Sequence, residues 1–344
     1  MEYRPLGKTG LHVSVLSLGG MMFGKFGNPD HDECVRMVHQ ALDAGINLID
    51  TADVYSQGES EEIIAKAIAG RRDQVLIATK FGQPMVPGGN GRGASRRWIM
   101  RAVEGSLRRL GTDHLDIYQQ HLPDGDVAPE ETLLALDDLV RSGKVRTVGS
   151  SNFSAESIVE YRWAAERLGT NRMMTEQLPY NLFLRRAEHS ILPTCLRYGL
   201  GVLVWGPLNM GWLAGKYAQD RRPEPDSRAA RRFARLPWST EDSASVARKY
   251  ELVERLGALA AEAGVSLPHL AYAFVLEHPA VTSAIIGPRL PRHLEDAIGA
   301  AEVRLPRDVL DRLDELCRPG EDVEPRDALI VNPNLRRSAR RRPA

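Results

Sequence analysis

The chain has 344 residues, of which 43% are hydrophobic and 26% charged, with 45 Lys+Arg balanced by 45 Asp+Glu. That balance gives no net field to draw nucleic acid or an anionic membrane, and no apolar run approaches the roughly 20 residues of a membrane span. The opening MEYRPLGKTG lacks the regions of an export signal, and Cys34, Cys195 and Cys317 are widely spaced and odd in number, so neither a disulfide framework nor a metal site is expected and the chain reads as cytoplasmic.

Residues 3–6 and 11–14, joined around Lys8-Thr9-Gly10, have the pattern of a hairpin that could plug the bottom of a barrel. Short apolar or β-branched runs then follow at 15–18, 46–49, 75–78, 115–118, 145–148, 173–174, 201–204 and 283–286. Each stops at a polar residue or glycine and precedes a helical periodicity; Trp98, Ala102, Val103, Leu107 and Leu110 form one such stripe. Gly45, Gly111, Gly143, Gly169 and Gly199 sit just past these helices, where a left-handed C-cap needs no Cβ. Eight uninterrupted βα alternations predict an α/β fold, a (β/α)8 TIM barrel. The open doubly wound sheet is the alternative, and no GxGxxG follows the first strand to favour it.

The segment 219–245 reads as a long loop after the seventh barrel strand. Residues 1–320 are expected to form the barrel domain and 321–344 a polar, Arg-rich tail lying frayed at the surface.

Catalytic groups of such a barrel lie at the C-terminal ends of its strands. Those ends carry Gly20-Met21, Asp50, Lys80, His121, Ser150-Ser151-Asn152, Gln177, Trp205-Gly206-Pro207 and Gly287, and Tyr55 follows in the loop after Asp50. A carboxylate, an ammonium, a phenol and an imidazole at one rim suggest proton transfer. Seven of the 45 basic residues are lysines, so Lys80 stands out in a chain whose default cation is Arg. Singly, each of these residues would be solvated surface; His12, His31, His39 and His278 are expected in ordinary structural roles, and Trp98, Trp163 and Trp238 in packing.

These motifs resemble the aldo-keto reductases over nearly the whole chain. DTADVY (50–55), SLRRLGTDHLDIYQQH (106–121), GKVRTVGSSNF (143–153) and WGPLNMGWLAGKY (205–217) match in order and register, most like the branch that holds bacterial reductases and potassium-channel β-subunits. The resemblance implies an enzyme that uses NADP(H) on a small-molecule carbonyl. Tyr55 would be the acid, with Lys80 lowering its pKa, Asp50 holding Lys80, and His121 orienting the carbonyl and sharing in proton transfer. It further implies that Gly20, Met21 and Asp50 line the cofactor, that Ser151, Asn152 and Gln177 hold its carboxamide, and that Trp205 stacks on the nicotinamide. Gly206, Pro207, Leu208 and Lys216 would hold the pyrophosphate, Ser227-Arg228 would close over it, and Gly287, Arg289 and His293 would flank the adenine end. The chain departs from the family there, with His293 in place of the usual Gln and Ala297 in place of the usual Asn. The rival expectation is a cofactor-binding, redox-sensing regulatory subunit.

Overall fold

A computed structural model describes residues 1–217 and 244–329. Strands β1 (Tyr3–Pro5) and β2 (His12–Ser14) pair antiparallel as the expected hairpin. Eight strands then close a parallel barrel: β3 (Leu16–Gly19), β4 (Leu48–Asp50), β5 (Leu76–Phe81), β6 (Leu115–Gln120), β7 (Val145–Ser151), β8 (Thr175–Pro179), β9 (Gly201–Trp205) and β10 (Val281–Ile286). Pairing follows chain order, and β10 closes against β3. The (β/α)8 TIM barrel is therefore the fold.

Between successive strands lie α1 (His31–Asp43), α2 (Glu59–Ile68), α3 (Arg96–Leu110), α4 (Pro129–Arg141), α5 (Ala155–Leu168) and α6 (Ile191–Tyr198). Among the described residues, α7 (Ala244–Glu262) and α8 (Leu267–Glu277) lie between β9 and β10, and α9 (Pro291–Gly299) and α10 (Arg307–Leu316) follow the last strand. Among the described residues no single helix is long and apolar enough to cross a membrane. The stripe Trp98, Ala102, Val103, Leu107 and Leu110 is the buried face of α3. Gly111, Gly169 and Gly199 are left-handed C-caps, while Gly45 and Gly143 take positive φ one residue beyond theirs. Cys34 and Cys195 are buried on α1 and α6, each as a free thiol.

Two apolar cores result. One sheathes the barrel beneath its helices. The other fills the barrel and joins Leu48, Ala78, Ile117, Leu203 and Ile285 to Leu6 and Val13 of the hairpin. Complete burial of Leu6 contributes about 1.5–3 kcal/mol and closes the lower end. The plug comes so close to β9 that a Cβ on Gly7 (φ +54) would lie 2.3 Å from the Gly201 nitrogen, so this position requires glycine.

Three expectations need correction. The sixth barrel strand is Thr175–Pro179, not 173–174; its ladder residues are mostly polar, and the apolar Met173-Met174 pair only leads into it. Residues 321–329 are packed rather than frayed. Val323 N–H donates to the Phe183 carbonyl at 2.9 Å, and Asp327 forms a fully buried 2.5 Å ion pair with Lys249 of α7. Trp163 is 59% exposed on α5, with the Arg167 guanidinium 4.7 Å above its ring, whereas Trp98 is buried. Of the segment 219–245 expected as a loop, Ala244 and Ser245 open α7, while the rest, with Trp238, and residues 330–344 lie outside the described residues.

Candidate active site

Side chains alternate along a strand, so the residues two beyond the apolar filling of the barrel also face inward. Above Leu48, Ala78 and Ile117 this brings Asp50, Lys80 and Gln119 into one layer, joined by Gln177 from β8. The intervening residues face the helices: Thr79 donates to Glu61 of α2 at 2.7 Å, and Tyr161 of α5 donates to Gln120 at 3.4 Å. The change from leucine to carboxylate and ammonium along one barrel axis creates the polar floor of the site.

Lys80 is fully buried and its ammonium uses all three donors: Asp50 Oδ2 at 2.7 Å, the Thr51 carbonyl at 2.8 Å and the Tyr55 hydroxyl at 3.4 Å. Asp50 is held from its other side by Gln177 Nε2, 2.7 Å from Oδ1. Burial pulls the Lys80 pKa down, but Asp50 and Tyr55 pull harder and leave it raised, so the group is a permanent cation. Tyr55 opens a short 3-10 turn, Tyr55–Gly58, and is partly exposed. Its phenol is raised above 10 by burial, which outweighs the opposing pull of Lys80. Lys80 lowers the phenol as the sequence suggests; burial decides the net direction. His121 lies edge-on to Tyr55, with ring centroids 5.8 Å apart at 83°. Burial, then Lys80, pushes its pKa down to about 3, and its Nδ1 is buried without a hydrogen-bond partner among the described residues. It is therefore a neutral imidazole, able to donate or accept one hydrogen bond but not to act as an imidazolium acid.

On the adjacent strands Ser151 Oγ donates to the Gln177 carbonyl at 2.9 Å. Asn152 has positive φ (+64), and its amide donates to the His121 carbonyl and to Ser151 Oγ, each at 3.0 Å. Its Oδ1 accepts from Trp205 Nε1 at 3.0 Å, which fixes the half-buried indole plane at the end of β9. The amide expected to hold a ligand is thus mainly engaged in aligning His121, Ser151 and Trp205. Gly206 takes φ +69 with open space where a Cβ would lie. Gly20 and Met21 form the turn after β3; a Cβ on Gly20 would sit 2.8 Å from Ser60 Oγ, so the turn fits tightly against α2.

Lys216 and His293 meet at 3.3 Å (Nζ to Nε2), at the start of α9. Burial, then Lys216, Arg292 and Arg289, lowers His293 to about 4. Three cations around a helix N-terminus are a donor set suited to phosphate. The indole face at Trp205 and this basic cluster fit the ring and the phosphates of a nicotinamide dinucleotide. Gly287 is exposed just after β10, Pro207 is buried and Leu208 half-buried in the turn after β9, and Arg228 lies outside the described residues.

Sequence reading missed several supporting groups. The Thr51 carbonyl cannot be read from a side chain. Gln119, 3.3 Å from Gln177 Nε2, looks like one more residue of an apolar strand. Asn181 donates to the Gly206 carbonyl at 2.8 Å and so holds the turn after β9. Glu176 is buried behind β7 and accepts from Ser150 Oγ at 2.5 Å and from Phe153 N–H at 3.0 Å. Asp53, also buried, lies inside the DTADVY motif itself, where no sequence signal separates it from a solvated loop carboxylate.

A family model described as Aldo/keto reductase family matches residues 15–318. Uncharacterized oxidoreductase YrpG of Bacillus subtilis is 38% identical over 340 residues, covering 95% of this chain and 99% of that protein. Aldo-keto reductase YhdN of the same organism is 37% identical, over 86% of this chain and 87% of its own length. A probable voltage-gated potassium channel subunit beta of Oryza sativa is 35% identical, over 92% and 97% respectively.

Proposed function

The chain belongs to the aldo/keto reductase family of nicotinamide-dependent oxidoreductases acting on carbonyls, and from that premise we propose that it reduces an aldehyde or ketone to the alcohol with NADPH, Tyr55 being the proton donor. The observation that carries this reading is the linked set Asp50–Lys80–Tyr55 beside a neutral His121.

When bound, NADPH supplies a hydride to the carbonyl carbon. The carbonyl oxygen needs a proton, and Tyr55 is a protonated phenol at neutral pH because burial favours its uncharged form. As that proton leaves, the Lys80 ammonium faces the developing phenolate and limits the charge the site must bear. Asp50 and the Thr51 carbonyl hold Lys80 in place. His121 offers a neutral hydrogen bond that orients the substrate oxygen. Trp205 provides the stacking face for the nicotinamide, with Ser151 and Gln177 beside it. Gly206, Leu208 and Lys216 serve the pyrophosphate, and Arg289 and His293 the second phosphate. The protein is proposed to be cytoplasmic, with a small-molecule carbonyl compound as its partner.

The cationic cluster makes a cofactor prediction. NADPH binds at least about tenfold tighter than NADH, or roughly 1.4 kcal/mol, in a fluorescence titration of the protein with each; equal dissociation constants contradict it. Parallel turnover assays over aldehydes, ketones and keto-sugars test the activity. Sustained NADPH oxidation is expected; oxidation that stops after one equivalent would favour the redox-sensing regulatory reading that resemblance to channel β-subunits offers.

A further inference from the structure

We propose that Asp53 is a positioning residue for the Tyr55 acid, a buried carboxyl whose charge state sets how readily the nearby phenol gives up its proton. This rests on the role of Tyr55 proposed above.

Asp53 is 1% exposed, and neither of its carboxyl oxygens has a well-formed hydrogen bond among the described residues. Other buried carboxylates nearby are well served: Asp50 by Lys80 and Gln177, Glu61 by Thr79 and Arg109, Asp116 by Arg72 and the Ile77 N–H. Asp53 is tied to the site through its backbone, its N–H donating to the Lys80 carbonyl at 3.2 Å, and Tyr55 N–H returns to the Ala52 carbonyl at 3.1 Å. The carboxyl and the phenol therefore share one short stretch of chain, tied by a backbone hydrogen bond to the strand that carries Lys80.

The groups coupled electrostatically to Asp53 come from several elements: Glu61 of α2, Arg109 of α3, Lys80 of β5, Tyr118 of β6 and Tyr55 on its own loop. Tyr118 also has a buried hydroxyl with no partner among the described residues. Burial, then Glu61, pushes Asp53 up to about 8, against Arg109, the Val54 N–H and Lys80. At neutral pH Asp53 is consequently uncharged, and the pull of Lys80 is left to Asp50 and Tyr55. Above about 8 it ionises, and a second anion beside the phenol opposes phenolate formation.

A buried carboxyl without a well-formed hydrogen bond is also a stability defect. Its folded pKa lies above its unfolded one, so wild-type protein loses stability as pH rises from about 4, the free carboxyl value, to about 8. Above that range the loss is constant. Asn has the same shape and no charge to bury.

The test uses Asp53→Asn and, should that variant misfold, Asp53→Ala. Alcohol oxidation with saturating NADP needs the phenolate and rises with pH. In either variant that ascending limb is expected to move to lower pH by roughly one unit. The melting temperature of Asp53→Asn relative to wild type is expected to climb between pH 4 and pH 8, the span of the two carboxyl pKa values. A melting temperature that changes while the limb stays on the wild-type curve would overturn the proposal, since a purely structural carboxyl would behave that way. The role of Tyr55 as the acid is tested separately, through Tyr55→Phe.

Discussion

Tyr55→Phe is expected to abolish carbonyl reduction, by roughly 10³-fold or more given the usual scale of a positioned acid, while NADPH affinity stays within about twofold. Phenylalanine keeps the ring edge against His121 and the ring beneath Lys80, whose ammonium lies 5.0 Å from its centroid. It removes only the hydroxyl, one of three acceptors of Lys80; Asp50 and the Thr51 carbonyl remain. No neighbour can replace the lost acid. His121, pushed down to about 3, is neutral at working pH, and Lys80 stays held in its charged form by Asp50. Steady-state kinetics with a cofactor titration check this. Near-normal turnover of folded Tyr55→Phe would make His121 or water the donor.

Lys80→Met is expected to slow reduction by roughly 10²–10⁴-fold and to move the pH optimum of alcohol oxidation upward. Methionine keeps the apolar stem but removes the cation that lies in hydrogen-bond reach of the phenol. Burial then acts on Tyr55 with less opposition, so the phenolate forms only at higher pH. The variant also leaves Asp50 Oδ2 without its buried partner, a loss of about 3–5 kcal/mol for a broken buried pair. If Lys80 only paired with Asp50, the melting temperature would fall while turnover per folded molecule persisted. Melting temperature and the pH–rate profile, measured together, separate the two. An unchanged alkaline limb in the folded variant would reject the tuning role.

The barrel was legible because most of its strands are apolar runs ending abruptly at a polar residue, and the same endings marked Asp50, Lys80 and His121. The signal failed where a strand is built from polar residues. Thr175–Pro179 carries Glu176 and Gln177 to opposite sides, one into a buried hydrogen-bond set and the other into the site. Asp53 was not legible as buried because a charged loop residue defaults to solvent. The net direction of the Tyr55 shift depends on how much water reaches the ring, and no spacing of residues states that. Nor could the sequence pair Asp327 with Lys249, since the contact joins residues distant along the chain. Lys216, Arg289 and His293 were singled out separately in the sequence, but their grouping at the start of α9 joins residues distant along the chain and was not legible, and Arg292 emerged only from its effect on His293.

The central claim is hydride transfer to a carbonyl carbon with protonation by Tyr55. It is tested most directly with NADPH deuterated at the transferring carbon of its nicotinamide, incubated with the wild-type protein and an aldehyde or ketone that it consumes, and the alcohol analysed by mass spectrometry and NMR. The account predicts one deuterium on the carbinol carbon per NADPH oxidised, and no labelled alcohol from Tyr55→Phe. Alcohol without deuterium at that carbon, or NADPH that binds and is never consumed with any carbonyl, would contradict it.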